Sequence, residues 1–451
     1  MRHTRSLSRR RFLKNSLLIA SAPIICPFPI FGEDAPGNRL NLALVGCGEM
    51  GVNDMKTALG CGANVIAVCD VDESMSAKAV RAGGAQMQGT TVYGDYRQLL
   101  DKEKTLDGLI IATPDHWHAA ICRHYMRANK HVYCEKPLTR TIGEAREIRG
   151  LARASGSVTQ MGNQGSAYGS MRRGIEVIQA GALGTLSSAH VVSPGERYPT
   201  GVNRPAGEDP IPKGLDWDFW VGPSPMRPYK TDIYHPYKWR GWHDFGTGQI
   251  GNWATHSLNL PIRALNLGFP SKVEVSGQGF GFETYWTGGT ITYHFPTTLQ
   301  GARFTVYWYE NLPTPEAFQG LPPNDEGSEG VVLIGERGRI YTNPHNGHVL
   351  IKLEGESGWR DITHHEATRS IPVTLPRVRG HMQEWIDACK GGPKPFSSFE
   401  LASRMTETCL LGLLATQLGH GFEYDAENQS VVGASADELI NPKRRTKWLA
   451  T

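Results

Sequence analysis

An α/β fold in two parts is predicted by three features of this sequence. Short apolar strands alternate with helices over the first third of the chain. A glycine-rich turn follows the first strand. A series of alternating apolar and polar segments fills the second half. The first part reads as a doubly wound parallel sheet and the second as a domain built on an antiparallel sheet.

The elements follow in order. Leu40 to Val45 is a short apolar run, as expected of a buried parallel strand. A helical segment leads to a second strand, Asn64 to Cys69, and Glu73 to Ala82 reads as a helix. Val92-Tyr93 is extended, and Tyr96 to Lys102 is helical. Leu106 to Ala112 is a strand that flows through Thr113-Pro114-Asp115 into a helix ending at Ala128. Lys130 to Cys134 is the next strand, and Ile142 to Ala154 the next helix. Beyond Val158 the pattern changes. Gln160 to Gly165 closes another strand, Ser170 to Gln179 is a helix, and Thr185 to Val192 a strand. Pro194 to Phe245 has little periodicity and is rich in Pro, Gly, Trp and Tyr. Loops of that length are usually functional, and the aromatic lining suits a ring-shaped polar ligand. Gly248 to Leu265 reads as one helix. Lys272 to Gly277, Thr290 to Phe295 and Ala302 to Tyr309 alternate as strands, and Val331 to Ile334 with Arg339 to Thr342 form a hairpin. Gly380 to Lys390 and Phe399 to Gly419 are closing helices.

The turn after the first strand carries the chemistry. Gly46, Gly48 and Gly51, with Cys47, Glu49 and Met50 between them, spell G-x-G-x-x-G where strand gives way to helix. The first glycine allows the tight turn, the second lets a pyrophosphate approach the backbone, and the third lets helix and strand pack closely. The free N–H groups of the helix start favour the anion. Asp70 ends the second strand close to the ~20 residues downstream at which an acid meets the ribose hydroxyls. Strand, glycines, helix, strand and terminal Asp together predict a dinucleotide site. A carboxylate at 70 repels a 2′-phosphate, and no Arg follows it, so NAD is favoured over NADP.

Composition narrows the function further. The chain has 451 residues, 39% hydrophobic and 20% charged, enough for two domains. The formal charge of +3 gathers largely at the N-terminus, which argues against a nucleic-acid surface. Residues 1–35 read as a targeting segment: Ser8-Arg9-Arg10-Arg11-Phe12-Leu13-Lys14 has the twin-arginine pattern, and Leu17 to Ile25 is too short to span a bilayer. Export in folded form to the periplasm or medium is expected, without stable membrane insertion. None of the eight cysteines forms a C-x-x-C pair, and buried free thiols are expected.

Two residues stand out for proton transfer. Lys136 follows a strand end and precedes Pro137. Partial burial beside a positive nicotinamide would lower its pKa into a useful range. His256 lies one helical turn after Asn252, so the two share a face; the histidine takes a hydroxyl proton and Asn252 orients the substrate. Asp115, His116, His118, His364 and His365 lack the regular ligand spacing of a metal site, and no metal is expected.

The chain resembles the Gfo/Idh/MocA oxidoreductases. The resemblance rests on Gly46 to Gly51, Cys69-Asp70, Thr113-Pro114 with His118, Lys130-His131-Val132 through Cys134-Glu135-Lys136-Pro137, and the helix with His256. It continues through Gly335-Glu336-Arg337-Gly338, His381 with Glu384-Trp385, and Thr406-Glu407 with Leu410-Leu411-Gly412. It implies a Rossmann domain, placed at 38–158, and a C-terminal α/β substrate and oligomerisation domain with a large, mostly antiparallel sheet, placed at 159–445. It also implies tightly held NAD or NADP, a sugar or cyclitol substrate, and a homo-oligomer, dimer or tetramer. By position Lys136 and His256 match the catalytic lysine and histidine. Thr113, Pro114, His118, Glu135, Asn163 and Gln164 fall on the cofactor side. Asn252 departs from the usual Asp, and Asn259 also stands where Asp is common, which puts a Lys-Asp-His relay in doubt. The segment Asp216 to Pro223 with Tyr234-His235-Pro236 looks like the secreted, sugar-associated branch, making Tyr234, His235 and His243 substrate-side candidates. Two activities are open: hydride transfer at a ring CH–OH, or a redox-assisted glycoside hydrolase or lyase that oxidises the ring transiently.

Overall fold

The structure, a computed structural model, describes residues 39–193, 195, 198–322, 329–433 and 436–448. The expected targeting segment at 1–35 lies outside the described residues.

Six parallel strands form the first sheet: β1 (Asn41–Val45), β2 (Asn64–Cys69), β3 (Thr91–Tyr93), β4 (Gly108–Ile111), β5 (His131–Glu135) and β6 (Thr159–Gly162). Their spatial order is β3-β2-β1-β4-β5-β6. Strand order reverses between β1 and β4, which opens a crevice beyond the carboxyl ends of those strands. Apart from the edge strand β3, where Val92 is exposed, the strands are mostly buried, as the apolar runs of β1, β2, β4 and β5 require. Local chemistry sets the helix starts. Asp72 accepts from Ser74 N–H, Asp95 from Arg97 N–H, and Thr141 with Glu144 makes a capping box. Because β6 pairs with β5, the parallel sheet runs past residue 158, where the sequence suggested a boundary.

The second sheet has ten strands: β7 (Leu186–Val192), β8 (Lys272–Gln278), β9 (Gly288–Phe295), β10 (Phe304–Glu310), β11 (Gly330–Gly335), β12 (Gly338–Thr342), β13 (Val349–Leu353), β14 (Arg360–Asp361), β15 (Phe422–Asp425) and β16 (Ser430–Val432). Their order is β14-β13-β12-β11-β7-β10-β9-β8-β15-β16. Every neighbouring pair is antiparallel except β7 with β10. Alternation works as the pattern demands: Ile291, Tyr293 and Phe295 of β9 and Phe304, Val306 and Trp308 of β10 are buried, with half-exposed residues between them.

The closing helices bind the two halves together. Met382, Trp385 and Ile386 of helix His381–Cys389 pack into the same cluster as Leu42, Leu44, Val52 and Met55. Helix Phe399–Leu418 places buried Glu407 against Arg146 and Arg149 of the first domain, at 2.8 and 2.9 Å.

Two elements differ from the sequence reading. The single helix expected over 248–265 is broken into a π-helical turn, Ile250–Ala254, a short helix Thr255–Ser257, and helix Asn259–Ala264. Pro261 bears only on the second junction: it has no N–H to bond the Ser257 carbonyl, while Leu258 N–H to the Ala254 oxygen and Ile262 N–H to the Leu258 oxygen keep the segments in line. The aperiodic stretch before Phe245 holds a helix at Trp217–Val221 and a 3₁₀ turn at Lys238–Gly241. Its aromatics pack mainly on one another. Trp217, Trp220, Tyr229, Tyr234, Trp239, Trp242 and Phe245 form a small core of their own.

Candidate active site

A cleft of about 520 Å³ lies beyond β1, β2, β4 and β5, a volume suited to a small-molecule ligand. Its floor is the glycine turn. Gly46 has φ +92°, and a Cβ there would meet the Ala112 carbonyl carbon at 2.5 Å. A Cβ on Gly51 would meet the Gly46 oxygen at 2.0 Å, while Gly48 faces open space. Helix Glu49–Gly60 starts without a side-chain cap, so its first N–H groups remain available beside Gly48. This cradle fits the diphosphate of a dinucleotide. Glu49 and Met50 also line the cleft. Cys47 turns into the core instead, fully buried with Sγ 3.6 Å from the Cys69 carbonyl.

Asp70 is fixed at the end of β2. One carboxylate oxygen accepts the Cys47 N–H at 2.7 Å and the other the Asp72 N–H at 3.0 Å. Burial nevertheless raises its pKa, the two backbone donors pulling it back in part. It lines the cleft with Thr113 and Pro114.

At the other end stands Lys136. Its ammonium donates to Asn252 twice, to Oδ1 at 2.5 Å and to the backbone oxygen at 2.9 Å. Burial brings its pKa down to about 8, although Glu135 opposes the shift. Asn252 therefore holds the lysine. His256 faces the same cleft. It is buried, its Nδ1 has no hydrogen-bond partner among the described residues, and burial together with Lys136 drives its pKa well below the ordinary value. It is thus a neutral imidazole next to a cationic amine of lowered pKa, an arrangement able to move a hydroxyl proton.

Other predicted residues brace this centre. His118 places its ring nitrogens 2.8 Å from the Pro137 carbonyl and 2.9 Å from that of Thr113, tying two strand ends together. Gln164 lines the cleft and donates to Glu135 at 2.8 Å. Glu135 is buried, and its pKa is raised by that burial. Asn259 is occupied structurally: it receives Arg263 Nε–H at 2.6 Å and donates to Ser166 Oγ.

Four sequence expectations need correction. Asn163 lies fully buried, its oxygen taken by the Ser397 hydroxyl, and it does not line the cleft. Tyr234 is 2% exposed inside the aromatic core of its own loop, so it does not reach a substrate. His243 packs on Tyr285, away from the cleft, with burial bringing its pKa down to about 4. His235 does line the cleft, but at the nucleotide end. Its Nε2 sits 2.9 Å from the Asp72 carboxylate, two residues beyond Asp70. The segment from His235 to Arg240 thereby forms one wall of the cleft from the end of β2 to Lys136.

Sequence reasoning also missed three residues. His345, in the turn between β12 and β13, brings its ring within 4.8 Å of His256 and 5.0 Å of Trp253. Trp253 lies 5.9 Å from the Lys136 ammonium. Arg240 lines the cleft and lowers the Lys136 pKa further. No local pattern marks His345. It arrives because its turn packs on the chain at Gly165, where a Cβ would meet the His345 oxygen at 2.0 Å.

Among the described residues no group of three or more His, Cys, Asp or Glu side chains is placed to hold a metal. His116 bonds the Trp220 carbonyl and His365 pairs with Glu356, far apart in the fold. Seven cysteines, from Cys47 to Cys409, are free. No helix among the described residues is long and apolar enough to cross a membrane.

Residues 40–163 match a family model described as an oxidoreductase family with an NAD-binding Rossmann fold, and residues 200–278 match that of the family's C-terminal α/β domain. The first domain is therefore an NAD-binding Rossmann domain. Inositol 2-dehydrogenase 2 of Saccharopolyspora erythraea is 32% identical over 167 residues, covering 36% of this chain and 47% of that protein. Glycosyl hydrolase family 109 protein 2 of Shewanella sp. (strain ANA-3) is 30% identical over 159 residues, 30% of this chain and 35% of that one. The chain thus spans about half or less of the curated relatives it matches. Among solved structures, levoglucosan dehydrogenase in complex with NADH and levoglucosan has TM-score 0.57 at 17% identity, covering 85% of this chain and 99% of that one. The WlbA dehydrogenase from Bordetella pertussis, in complex with NADH and UDP-GlcNAcA, has TM-score 0.57 at 16% identity, covering 86% and 99%. At these identities the likeness speaks for the fold.

Proposed function

We propose, for a chain that belongs to the Gfo/Idh/MocA oxidoreductase family, that it moves hydride between a hydroxyl-bearing ring carbon of a sugar or cyclitol and a tightly held NAD. The observation that carries this reading is the pairing of Lys136, held by Asn252, with neutral His256 on the wall of a cleft floored by the glycine turn. The bound nucleotide supplies the hydride acceptor and donor. The chain's own residues do the rest. The free N–H groups beside Gly48 bind the diphosphate, and Asp70 meets the ribose and discriminates against a 2′-phosphate. Lys136 Nζ donates to the substrate hydroxyl oxygen and stabilises the developing alkoxide, while His256 accepts the proton. Asn252, unable to accept a proton, keeps the ammonium in place. The wall from His235 to Arg240 encloses the cleft and supports a retained nucleotide.

A second reading is a glycoside hydrolase or lyase in which the ring is oxidised only transiently. His345 supports it, because elimination and hydration need a proton-transfer group beyond the pair that handles the hydroxyl. The similarity to a family 109 glycosyl hydrolase supports it as well. We further propose export of the folded, loaded protein by the twin-arginine route and assembly as a homo-oligomer, on the strength of the Arg9-Arg10-Arg11 pattern and the large second sheet.

One experiment separates the readings. Protein purified natively is denatured and the released nucleotide identified by mass. A native sample is then incubated with free sugars, cyclitols and glycosides while nicotinamide absorbance and liberated sugar are followed together. Bound NAD with lasting reduction and an oxidised sugar is expected for the dehydrogenase. Liberated sugar without lasting reduction establishes the hydrolase, and absence of bound nucleotide defeats both.

A further inference from the structure

A second cavity, of about 200 Å³, lies away from the catalytic cleft, between helices Gly169–Gln179, Asn259–Ala264 and Phe399–Leu418. Two arginines line it, Arg263 and Arg404, together with Asn266, Gln179 and Thr408, and no Asp or Glu does. Arg263 is the unusual one. It is 9% exposed, and its Nη2 has no hydrogen-bond partner among the described residues. Its Nε donates to Asn259 Oδ1 at 2.6 Å, and its guanidinium lies 4.1 Å from the centre of the Phe396 ring. Neither contact neutralises the charge. Glu384, the acid that acts on Arg263 electrostatically, gives both its oxygens to Arg172, at 2.8 and 3.0 Å. Burial pulls the Arg263 pKa below its ordinary value, which marks the same deficit.

A buried cation without a counter-charge is costly, often by several kcal/mol. A buried donor left unsatisfied adds to that. A ligand from outside the chain is one way to complete such a group. The cavity beside Arg263 is open to a small ligand, and Arg404 offers a second fork-shaped donor from the adjoining helix, its Nη2 only weakly engaged by the Leu267 carbonyl at 3.4 Å. Guanidinium groups match the paired oxygens of carboxylates and phosphates. The apolar remainder of the wall, from Ile175, Ile262, Leu375 and Phe396, would dry the pair and strengthen it.

We propose that this cavity is a binding site for a small oxyanion, a phosphate or carboxylate group held between Arg263 and Arg404. The site is separate from the glycine turn, so its ligand is neither the nucleotide nor the substrate of the cleft.

The test is calorimetric titration of the NAD-loaded protein with inorganic phosphate and, separately, with succinate. Loading keeps the glycine turn occupied. Saturable binding is expected, weakened at least about tenfold in Arg263→Met and in Arg404→Gln, with nucleotide content unchanged. Binding of phosphate alone identifies a phosphoryl ligand, and binding of succinate alone a carboxylate. If Arg263→Met does not fold, the half-exposed Arg404→Gln still decides. Equal affinity in wild type and Arg404→Gln, or no saturable binding of either anion, overturns the proposal.

Discussion

Lys136 is the residue on which stability and chemistry pull in opposite directions. Its pKa is lowered from 10.5 to about 8, so between those values the unfolded chain holds the extra proton. Stability contributed by this group therefore rises as pH climbs through that window, and its buried charge works against the fold below about 8. Lys136→Met should lose turnover by roughly 10²- to 10⁴-fold. It should also hold or gain stability at neutral pH, by about 1 kcal/mol, because an apolar chain replaces a buried charge. Denaturant melts beside steady-state rates check both. The wild-type kcat/KM should change with an inflection near 8 that the variant lacks. Loss of activity together with severe unfolding would make Lys136 a structural residue. At this scale the sequence was informative for Lys136 and His256, since strand end and helical spacing announce them. It was silent on His345, whose turn carries no signal of its own.

At the scale of elements, the wall from His235 to Arg240 is where the proposed retention of the nucleotide can be tested. Its chain is stitched to the end of β2 by the Asp72–His235 contact at 2.9 Å and by backbone bonds from Glu73 N–H to Gly214 and from Asp216 N–H to Val71. His235→Ala removes one stitch and leaves Asp72 capping its helix through Ser74. Such half-exposed pairs are worth up to about 1 kcal/mol, so nucleotide release should quicken by up to about fivefold. Bound nucleotide remaining after repeated gel filtration measures it, and unchanged retention would leave the contact without a role in holding the cofactor. The broken helix around His256 belongs to the same scale. Apolar periodicity across 248–265 reads as regular helix, but Asn252 reaches Lys136 from a π-helical turn, Ile250–Ala254, in which Gly251 is packed where a Cβ would meet Thr247 Oγ1 at 2.1 Å.

Across the whole molecule, the two sheets do not stand as independent bodies on one linear boundary. Trp385, fully buried in a helix far along the chain, sits among Leu42, Leu44 and Met55 of the first sheet. Trp385→Ala should destabilise the protein by roughly 3–5 kcal/mol. Both halves should still melt together, in one transition by fluorescence and calorimetry. A separate early transition for the first domain would show that the core does not couple them. The sequence by itself determined the parallel sheet, the glycine cradle, Asp70 and the shared cleft position of Lys136 and His256, because short-range periodicity, turn chemistry and spacing along one chain encode them. Only the tertiary structure decided that Asn163 is consumed by Ser397, that Tyr234 is core, that His243 packs on Tyr285 instead of lining the cleft, that His235 meets Asp72, and that His345 and Arg240 join the cleft. Those outcomes depend on contacts between segments distant in sequence, where packing and hydrogen-bond competition, rather than local pattern, choose which face a side chain presents.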